Sequence, residues 1–395
     1  MDHTQYLARR ALSTSVGPID ELFATVARRP DVVSFAAGAP DLALLPVPKV
    51  AAAAQRALDR WGPRILQYGP TEGFAPLREA CLPLLAARGL SVTADAVHIS
   101  TGGSGGLATA CQALLDEADV VLVERPSYPP AVKVFRSFGA HVVGVPSDQH
   151  GIIPGALDHA LTEHRPKLVY LMPTFQNPTG RTASAQRRQA VASVLRDHGA
   201  LAVEDDVYYD LRYSGSALAA LAAYAPEHVI YLTSLSKTVA PALRIGIVVP
   251  PPALMPAMLA LKQGIDMQTS SLTQAIATEA LTDPAAPAQL EALRTSYSRK
   301  RDLLVSALRA ELDHRFAFDV PDGGLFLWLQ GPDGFDAERA LPAALDVGVA
   351  YLPGASCYAE PGHGRSALRL SFAAPPAADI AGAVGRLASV LGLEQ

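Results

Sequence analysis

The sequence predicts an α/β protein, with a larger unit built on a mostly parallel central sheet and a smaller α+β unit after it. Three observations carry this. Between residues 95 and 250, short apolar runs alternate with stretches of helical periodicity, the pattern of strands joined by crossover helices. Past Pro284 the pattern changes to a long charged helix, then short strands around a Gly-rich turn. At 395 residues the chain also exceeds what one hydrophobic core usually organises.

Residues 1–45 are expected to form an N-terminal segment that joins the smaller unit. Within it, a helix is predicted over 19–27 and a strand over 32–35. The loop Ala36-Ala37-Gly38-Ala39-Pro40-Asp41 follows, where glycine permits positive φ and proline stiffens the turn. The larger unit is expected over 46–285. It begins with a helix over 47–60, a loop at 66–73 marked by Gly-Pro and Glu-Gly pairs, and helical spacing over 74–87. Strands are predicted at 96–100, 120–123, 141–145, 167–172, 201–204, 229–232 and 245–249, with helices at 106–115, 131–138 and 184–197. The smaller unit is expected over 286–395. A helix over 288–312 precedes strands 316–320 and 325–329, which flank the turn Pro321-Asp322-Gly323-Gly324. A helix over 337–345, strands 349–352 and 367–371, and a helix over 377–391 complete it.

Composition narrows the function. Apolar content of 49 % and charged content of 18 % are ordinary for a soluble enzyme. A net charge of −5 gives no basic footprint, so nucleic acid is not an expected partner. No apolar run reaches the length of a membrane span, and the first residues lack the apolar core of a secretory signal. Cys81, Cys111 and Cys357 are far apart and odd in number, which argues against a disulfide framework or a metal site and for a cytoplasmic setting.

The chemistry gathers at strand ends, where ligands of such sheets bind. In the stretch 231–246, YLTSLSKTVAPALRIG, Lys237 is flanked by Ser234, Ser236 and Arg244. Hydroxyls and a guanidinium can hold a phosphate, and an amine can form a Schiff base with an aldehyde. Together they suit pyridoxal 5′-phosphate, which carries both groups; the plain alternative is a solvated basic turn. In STGGSGG at 100–106, Gly103 and Ser104 can point N–H groups and a helix start at a phosphate. Tyr128 in ERPSYPPA can stack on an aromatic ring. Asn177 in FQNPTG can donate an amide hydrogen to a phenolate. In EDDVYYD at 204–210, a carboxylate can keep a pyridinium protonated, with Asp205 and Asp206 competing for that task, and Tyr208 can reach the same ring. Arg369 lies within a predicted strand, where a guanidinium needs an anion: a substrate carboxylate or a structural partner. Each signal alone has an ordinary structural explanation; their order and shared position do not have a cheap joint one.

The motifs YGPTEGFAPLR, QNPTG, EDD-x-Y, S-x-SK-x-x-x-P-x-LR and ALRLSF together resemble the fold type I, pyridoxal-phosphate-dependent aminotransferases of class I/II. The likeness is greatest to the 2-aminoadipate aminotransferase group and the aminotransferase-like half of MocR-type regulators. The resemblance implies a fold type I transferase in which Lys237 carries the cofactor. It implies that Asp205 is the pyridinium partner, Tyr208 and Asn177 the ring-oxygen ligands and Tyr128 the stacking aromatic. Gly103, Ser104, Ser234, Ser236 and Arg244 would form the phosphate cup, Arg369 the α-carboxylate clamp, and Gly38 part of the substrate-facing loop. Tyr68 would reach the partner subunit's phosphate, which implies a homodimer with shared active sites. The substrates implied are an L-amino acid and a 2-oxo acid. Decarboxylation, elimination, cyclisation, oxidation or hydroxylation on the same fold, a ligand-sensing regulator, and a non-catalytic binding protein are the alternatives.

Two departures from the relatives stand out. Gly-Gly follows Ser104 where larger polar residues are usual, which predicts a looser phosphate loop. In the stretch 17–23, GPIDELF, Asp20 stands where the relatives carry an Arg that receives acidic side chains. The reversed charge predicts a basic substrate, guanidino or amino. Glu21 is the alternative acid, and a plain helix cap the alternative role for Asp20.

Overall fold

The computed structural model describes residues 3–8, 10–11, 17–312 and 315–392. Its centre is an eight-stranded sheet. In spatial order the strands are His98–Thr101, Ile245–Val249, Val229–Ser234, Ala202–Asp205, Leu168–Leu171, Val120–Arg125, His141–Asp148 and Gly151–Ile152. The run from Val229–Ser234 to His141–Asp148 is parallel, while Ile245–Val249 is antiparallel to both neighbours. The parallel strands are mostly apolar because helices cover both faces, and Glu124, Glu204 and Asp205 lie toward their carboxyl ends. Their alternation divides two cores. Leu168 and Tyr170 belong to one, with Val121, Val123 and Val203; Val169 and Leu171 belong to the other, with Leu122 and Ala202. The first core also takes in Leu327, Leu329, Leu368 and Leu370 of the second sheet.

That second sheet has four strands in the order Ala317–Phe318, Phe326–Gln330, Ala367–Ser371 and Leu352–Pro353. All its pairings are antiparallel. Val33–Ser34 pairs in parallel with Val349–Ala350 as a separate ladder. The single strand predicted over 349–352 is therefore two short ones that belong to different sheets. Among the described residues, no helix is long and apolar enough to cross a membrane.

Two helical expectations need correction. The stretch 74–87 is two helices, Ala75–Ala80 and Leu82–Ala86. Pro83 lies in the first turn of the second, the position where a missing N–H costs little. The helix predicted from 106 begins at Gly102 and runs to Leu114. Within STGGSGG, Ser100 and Thr101 end the strand and Gly102 begins the helix, with no loop between them. A side chain at Gly106 would come within 2.7 Å of Val248 and 2.8 Å of Leu232. The glycine pair after Ser104 therefore lets the helix lie close on the sheet, which removes the reason to expect a loosened phosphate loop.

Candidate active site

The carboxyl ends of the parallel strands open on a cavity of about 200 Å³. Gly103, Ser104, Tyr128, Asp205, Tyr208, Ser234, Ser236, Lys237 and Arg244 all line it. Segments far apart in sequence thus meet as the strand-end reading predicts.

One end of the cavity is built for an anion. Gly103 and Ser104 sit in the first turn of the helix Gly102–Leu114, and the cap residue Thr101 makes no side-chain bond to that turn. Its hydroxyl donates instead to Asp266, at 2.8 Å. The first N–H groups of a helix have no partner within it, and the helix dipole favours negative charge there. Arg244 lies against the same turn. Gly102 has φ +74°, and a Cβ there would collide with the Arg244 guanidinium. Only glycine satisfies both the conformation and the contact. Among the described residues Arg244 donates to two carbonyls, Pro241 at 3.3 Å and Thr101 at 3.4 Å, and neither compensates its charge. Ser234 and Ser236 add hydroxyls at the end of the neighbouring strand.

The adjacent acids separate cleanly, because successive residues of a strand face opposite sides. Asp206 turns away from the cavity. Its carboxylate accepts from Tyr231 at 2.9 Å and lies 4.0 Å from the buried Arg88. Asp205 lines the cavity, and Tyr170 donates to its Oδ2 at 2.6 Å. Its Oδ1 is buried and hydrogen-bonded to no described residue. Burial pushes the Asp205 carboxyl up to about 6. The Tyr170 bond opposes this, the charge of Asp206 adds to it, and the Lys237 ammonium opposes it.

Lys237 donates to the Gly38 carbonyl at 2.8 Å, and its amine lies 5.9 Å from the centre of the Tyr208 ring. Burial, with the charge of Arg369 adding to it, lowers the ammonium to about 8. A neutral, nucleophilic fraction of about a tenth is therefore present at pH 7.

Beside the cavity stands a wall of Phe326 and Arg369; the Arg369 side chain does not line the cavity itself and is 4 % exposed. Its Nη1 donates to Asn177 Oδ1 at 2.7 Å, Nη2 donates to the Ala36 carbonyl, and Nε is buried without a partner. Among the described residues no carboxylate pairs with it. Phe326 packs under the guanidinium at 4.3 Å and meets Tyr208 edge-on at 5.6 Å. A Cβ on Gly38 would stand 2.5 Å from the Phe326 ring, so glycine brings the 36–41 loop down onto this wall.

Two predicted residues lie elsewhere. Tyr68 is 74 % exposed and does not line the cavity of its own chain. Asp20 caps the helix Pro18–Ala27, accepting the Gly17 N–H at 3.0 Å, and is salt-bridged to Lys133 at 2.7 Å. Both hold its carboxyl below the usual range, Lys133 the more strongly. The cap reading of Asp20 describes its geometry, and its charge is already matched. Glu21, next to it in the same first turn, is exposed. Sequence reasoning did not reach Tyr170 or Phe326. A Tyr or Phe in an apolar strand reads as core packing, and only strand parity combined with Asp205 would single out Tyr170.

Comparison with known proteins agrees with this geometry. Residues 30–387 match the family described as aminotransferase class I and II. The chain is 36 % identical to the 2-aminoadipate transaminase of Thermus thermophilus, over 92 % of this chain and 91 % of that one. A crystal structure of α-aminoadipate aminotransferase from Thermus thermophilus, complexed with N-(5′-phosphopyridoxyl)-L-leucine, superposes with a TM-score of 0.91 at 34 % identity, covering 99 % of this chain and 98 % of that one. A kynurenine aminotransferase from Pyrococcus horikoshii, in complex with PMP and its substrates and products, superposes with a TM-score of 0.94 at 30 % identity, covering 100 % and 98 %.

Proposed function

The chain belongs to the class I and II aminotransferases, and on that premise we propose that it transfers the amino group of an L-amino acid to a 2-oxo acid, with pyridoxal 5′-phosphate held on Lys237. The observation that carries the residue roles is the pairing of two features around the Tyr208 ring, Lys237 above it and Arg369 beyond Phe326. Lys237 is a depressed amine beside an uncapped helix start, and Arg369 is a buried guanidinium that no carboxylate among the described residues pairs with.

The residues fit the cofactor. Gly103, Ser104, Ser234, Ser236 and Arg244 would hold its phosphate, and Asp205 Oδ1 its ring nitrogen. Tyr208 and Asn177 would hold its ring oxygen, and Tyr128 would cover the ring. When bound, pyridoxal phosphate supplies an electrophilic carbon for the substrate amine and a protonated ring that accepts the electron pair freed at Cα. Arg369 binds the α-carboxylate in a bidentate grip and orients the Cα–H bond. The freed Lys237 amine, neutral above about pH 8, takes the Cα proton and returns it on the cofactor side. Phe326 and the 36–41 loop exclude water from that transfer.

The finer expectation of a basic substrate rests on Asp20. That residue lines a second cavity of about 450 Å³ with Phe23, Lys133, Arg136 and Tyr358, and Pro130 lines both cavities. A guanidino or amino side chain would take the place of Lys133 on Asp20, whereas an acidic one would take Lys133 itself. The Asp20–Lys133 pair is thus the selectivity element of this reading, with Glu21 its neighbour. A homodimer with Tyr68 completing the partner's cavity is supported by exposed apolar residues. Leu66, Tyr68, Ile265 and Met267 are 67 %, 74 %, 59 % and 51 % exposed, and a bond from the Gly69 N–H to Gln268 ties the two segments together.

The test is a single-turnover reaction of purified, cofactor-loaded protein with arginine-type, aminoadipate-type and aromatic amino acids. Stoichiometric 2-oxo acid and pyridoxamine phosphate are expected. Ammonia, carbon dioxide or peroxide as the product would assign another reaction, and no turnover with ligand binding would favour a sensor. Preference for basic donors that Asp20→Arg reverses would carry the finer reading; a preference that ignores the substitution would end it.

A further inference from the structure

We propose that Tyr170 is a positioning residue for Asp205: its hydroxyl fastens one carboxylate oxygen, so that the other is the single acceptor left for the ring nitrogen of the cofactor. The inference rests on the pyridoxal phosphate reading of the cavity.

Strand register sets the local structure. Leu168–Leu171 and Ala202–Asp205 are parallel neighbours, with Tyr170 paired to Val203. Tyr170 points to the cofactor side of the sheet because it shares parity with Leu168. From there its hydroxyl reaches Asp205 Oδ2 at 2.6 Å, and both groups are buried. Phe135 packs edge-on against the Tyr170 ring at 5.5 Å and fixes where the hydroxyl can be. Across the sheet the arrangement is repeated: Tyr231, from the strand on the other side, donates to Asp206 at 2.9 Å. Two consecutive acids thus receive a tyrosine each, from opposite neighbours and on opposite faces. Asp206 also has Arg88 beside it, whereas Asp205 has Tyr170 and an orphaned Oδ1.

A carboxylate with two free oxygens can rotate and present either one. With Oδ2 fastened by a buried donor, rotation costs that bond, and Oδ1 alone remains. The same bond favours the ionised acid in a setting that burial makes unfavourable. The groups facing Asp205 act in both directions. Asp206, next along the chain, opposes ionisation, and Lys237, from the segment after Val229–Ser234, favours it. Tyr128, from the loop after Val120–Arg125, stands close enough for the Asp205 charge to raise its hydroxyl. Glu124, on that strand, acts on Tyr170. Tyr170 is the first of the favourable groups and, among the described residues, the side chain bonded to Asp205. A tyrosine that merely filled the core would serve as well without its oxygen.

Tyr170→Phe removes that oxygen and keeps the ring on Phe135. The experiment measures pyridoxal phosphate affinity of the apo protein from pH 5 to 9, by fluorescence titration of wild type, Tyr170→Phe and Tyr231→Phe. Loss of a donor to the ionised acid raises the pH at which Asp205 protonates. The acid-side fall in affinity should therefore move up by about one pH unit in Tyr170→Phe, giving about tenfold weaker binding near pH 6 and little change near pH 9. Tyr231→Phe should leave the profile in place. Site-specific 3-fluorotyrosine at position 170, a stronger donor, should move the fall in the acid direction; it also keeps the proposal testable should Tyr170→Phe fold poorly. Superimposable profiles, or an equal loss at every pH, would overturn the positioning role while the wild type still binds the cofactor. A wild type that takes up no pyridoxal phosphate overturns both readings.

Discussion

Asp205 and Asp206 show how much one residue step can decide. Both are buried at the end of one strand, yet one faces the cavity and the other a buried arginine. Asp205→Asn should leave stability intact, or raise it by removing a carboxyl that burial disfavours, while turnover falls by about a hundredfold or more, the scale of losing one preorganised electrostatic partner. Asp206→Asn should do the opposite. It weakens the Tyr231 bond and removes a carboxylate from beside Arg88, which keeps Asp210 at 2.7 Å, and should cost about 1.5–3 kcal/mol of stability. Denaturant unfolding and steady-state turnover of the two variants check the contrast. Lys237 gives a pH prediction. Its ammonium is pushed down from 10.5 to about 8, so the unfolded chain holds the extra proton between those values. This group's contribution to stability therefore rises with pH through that window. Reductive trapping of an aldehyde on the apo protein should quicken about tenfold per pH unit below 8 and level off above it, and Lys237→Ala should abolish it. Most of these residues were legible because their chemistry is tied to strand ends. Tyr170 was not, since the sequence does not say which face of a fully apolar strand looks into the site.

At the scale of elements, the helix Gly102–Leu114 carries the anion end of the site. Its glycines looked like a loop, and the helix was expected to start four residues later. Tertiary contact overrode that expectation: Gly102 admits the Arg244 guanidinium and Gly106 admits Val248 and Leu232. Gly102→Ala should force Arg244 away and strain a residue with φ +74°, by about 1–2 kcal/mol for the left-handed conformation. Cofactor affinity should drop about tenfold or more with the fold retained. Gly103→Ala, whose Cβ would meet nothing nearer than 3.7 Å, should have a small effect; equilibrium titration of both variants with pyridoxal phosphate makes the comparison. Strand positions were otherwise predictable, because runs such as 229–232 have no alternative use for so many apolar residues. The helices Pro154–His164, Met255–Asp266 and Ser271–Leu281 were not foreseen. Their faces are mixed and their starts rest on Pro or Ser turns that also read as loops.

For the whole molecule, the two sheets explain why the fold class was readable while the site was only partly so. Period and order gave the sheets. The wall formed by Phe326 and Arg369 depends on how the second sheet is seated on the first core, which no local pattern encodes. The exposed edge around Tyr68 gives the prediction at this scale. Subunits carrying Lys237→Ala, mixed with subunits carrying Tyr68→Ala, should form heterodimers with one site free of both lesions. Full exchange should restore about a quarter of wild-type activity, half of the dimers having one intact site. Sedimentation confirms exchange, and exchanged but inactive mixtures would show that sites are not shared.

The Lys237 amine and the Arg369 guanidinium both donate to backbone carbonyls of one short segment, Gly38 and Ala36. The backbone of that segment thus occupies one donor of each cation. A carboxylate that engages Arg369 exchanges the bond to the Ala36 carbonyl for one with itself, so the net gain is a difference of about 1 kcal/mol rather than a full bond. Replacing Gly38 or Ala36 leaves those carbonyls in place, so the exchange belongs to the path of the backbone and not to any side chain of the segment.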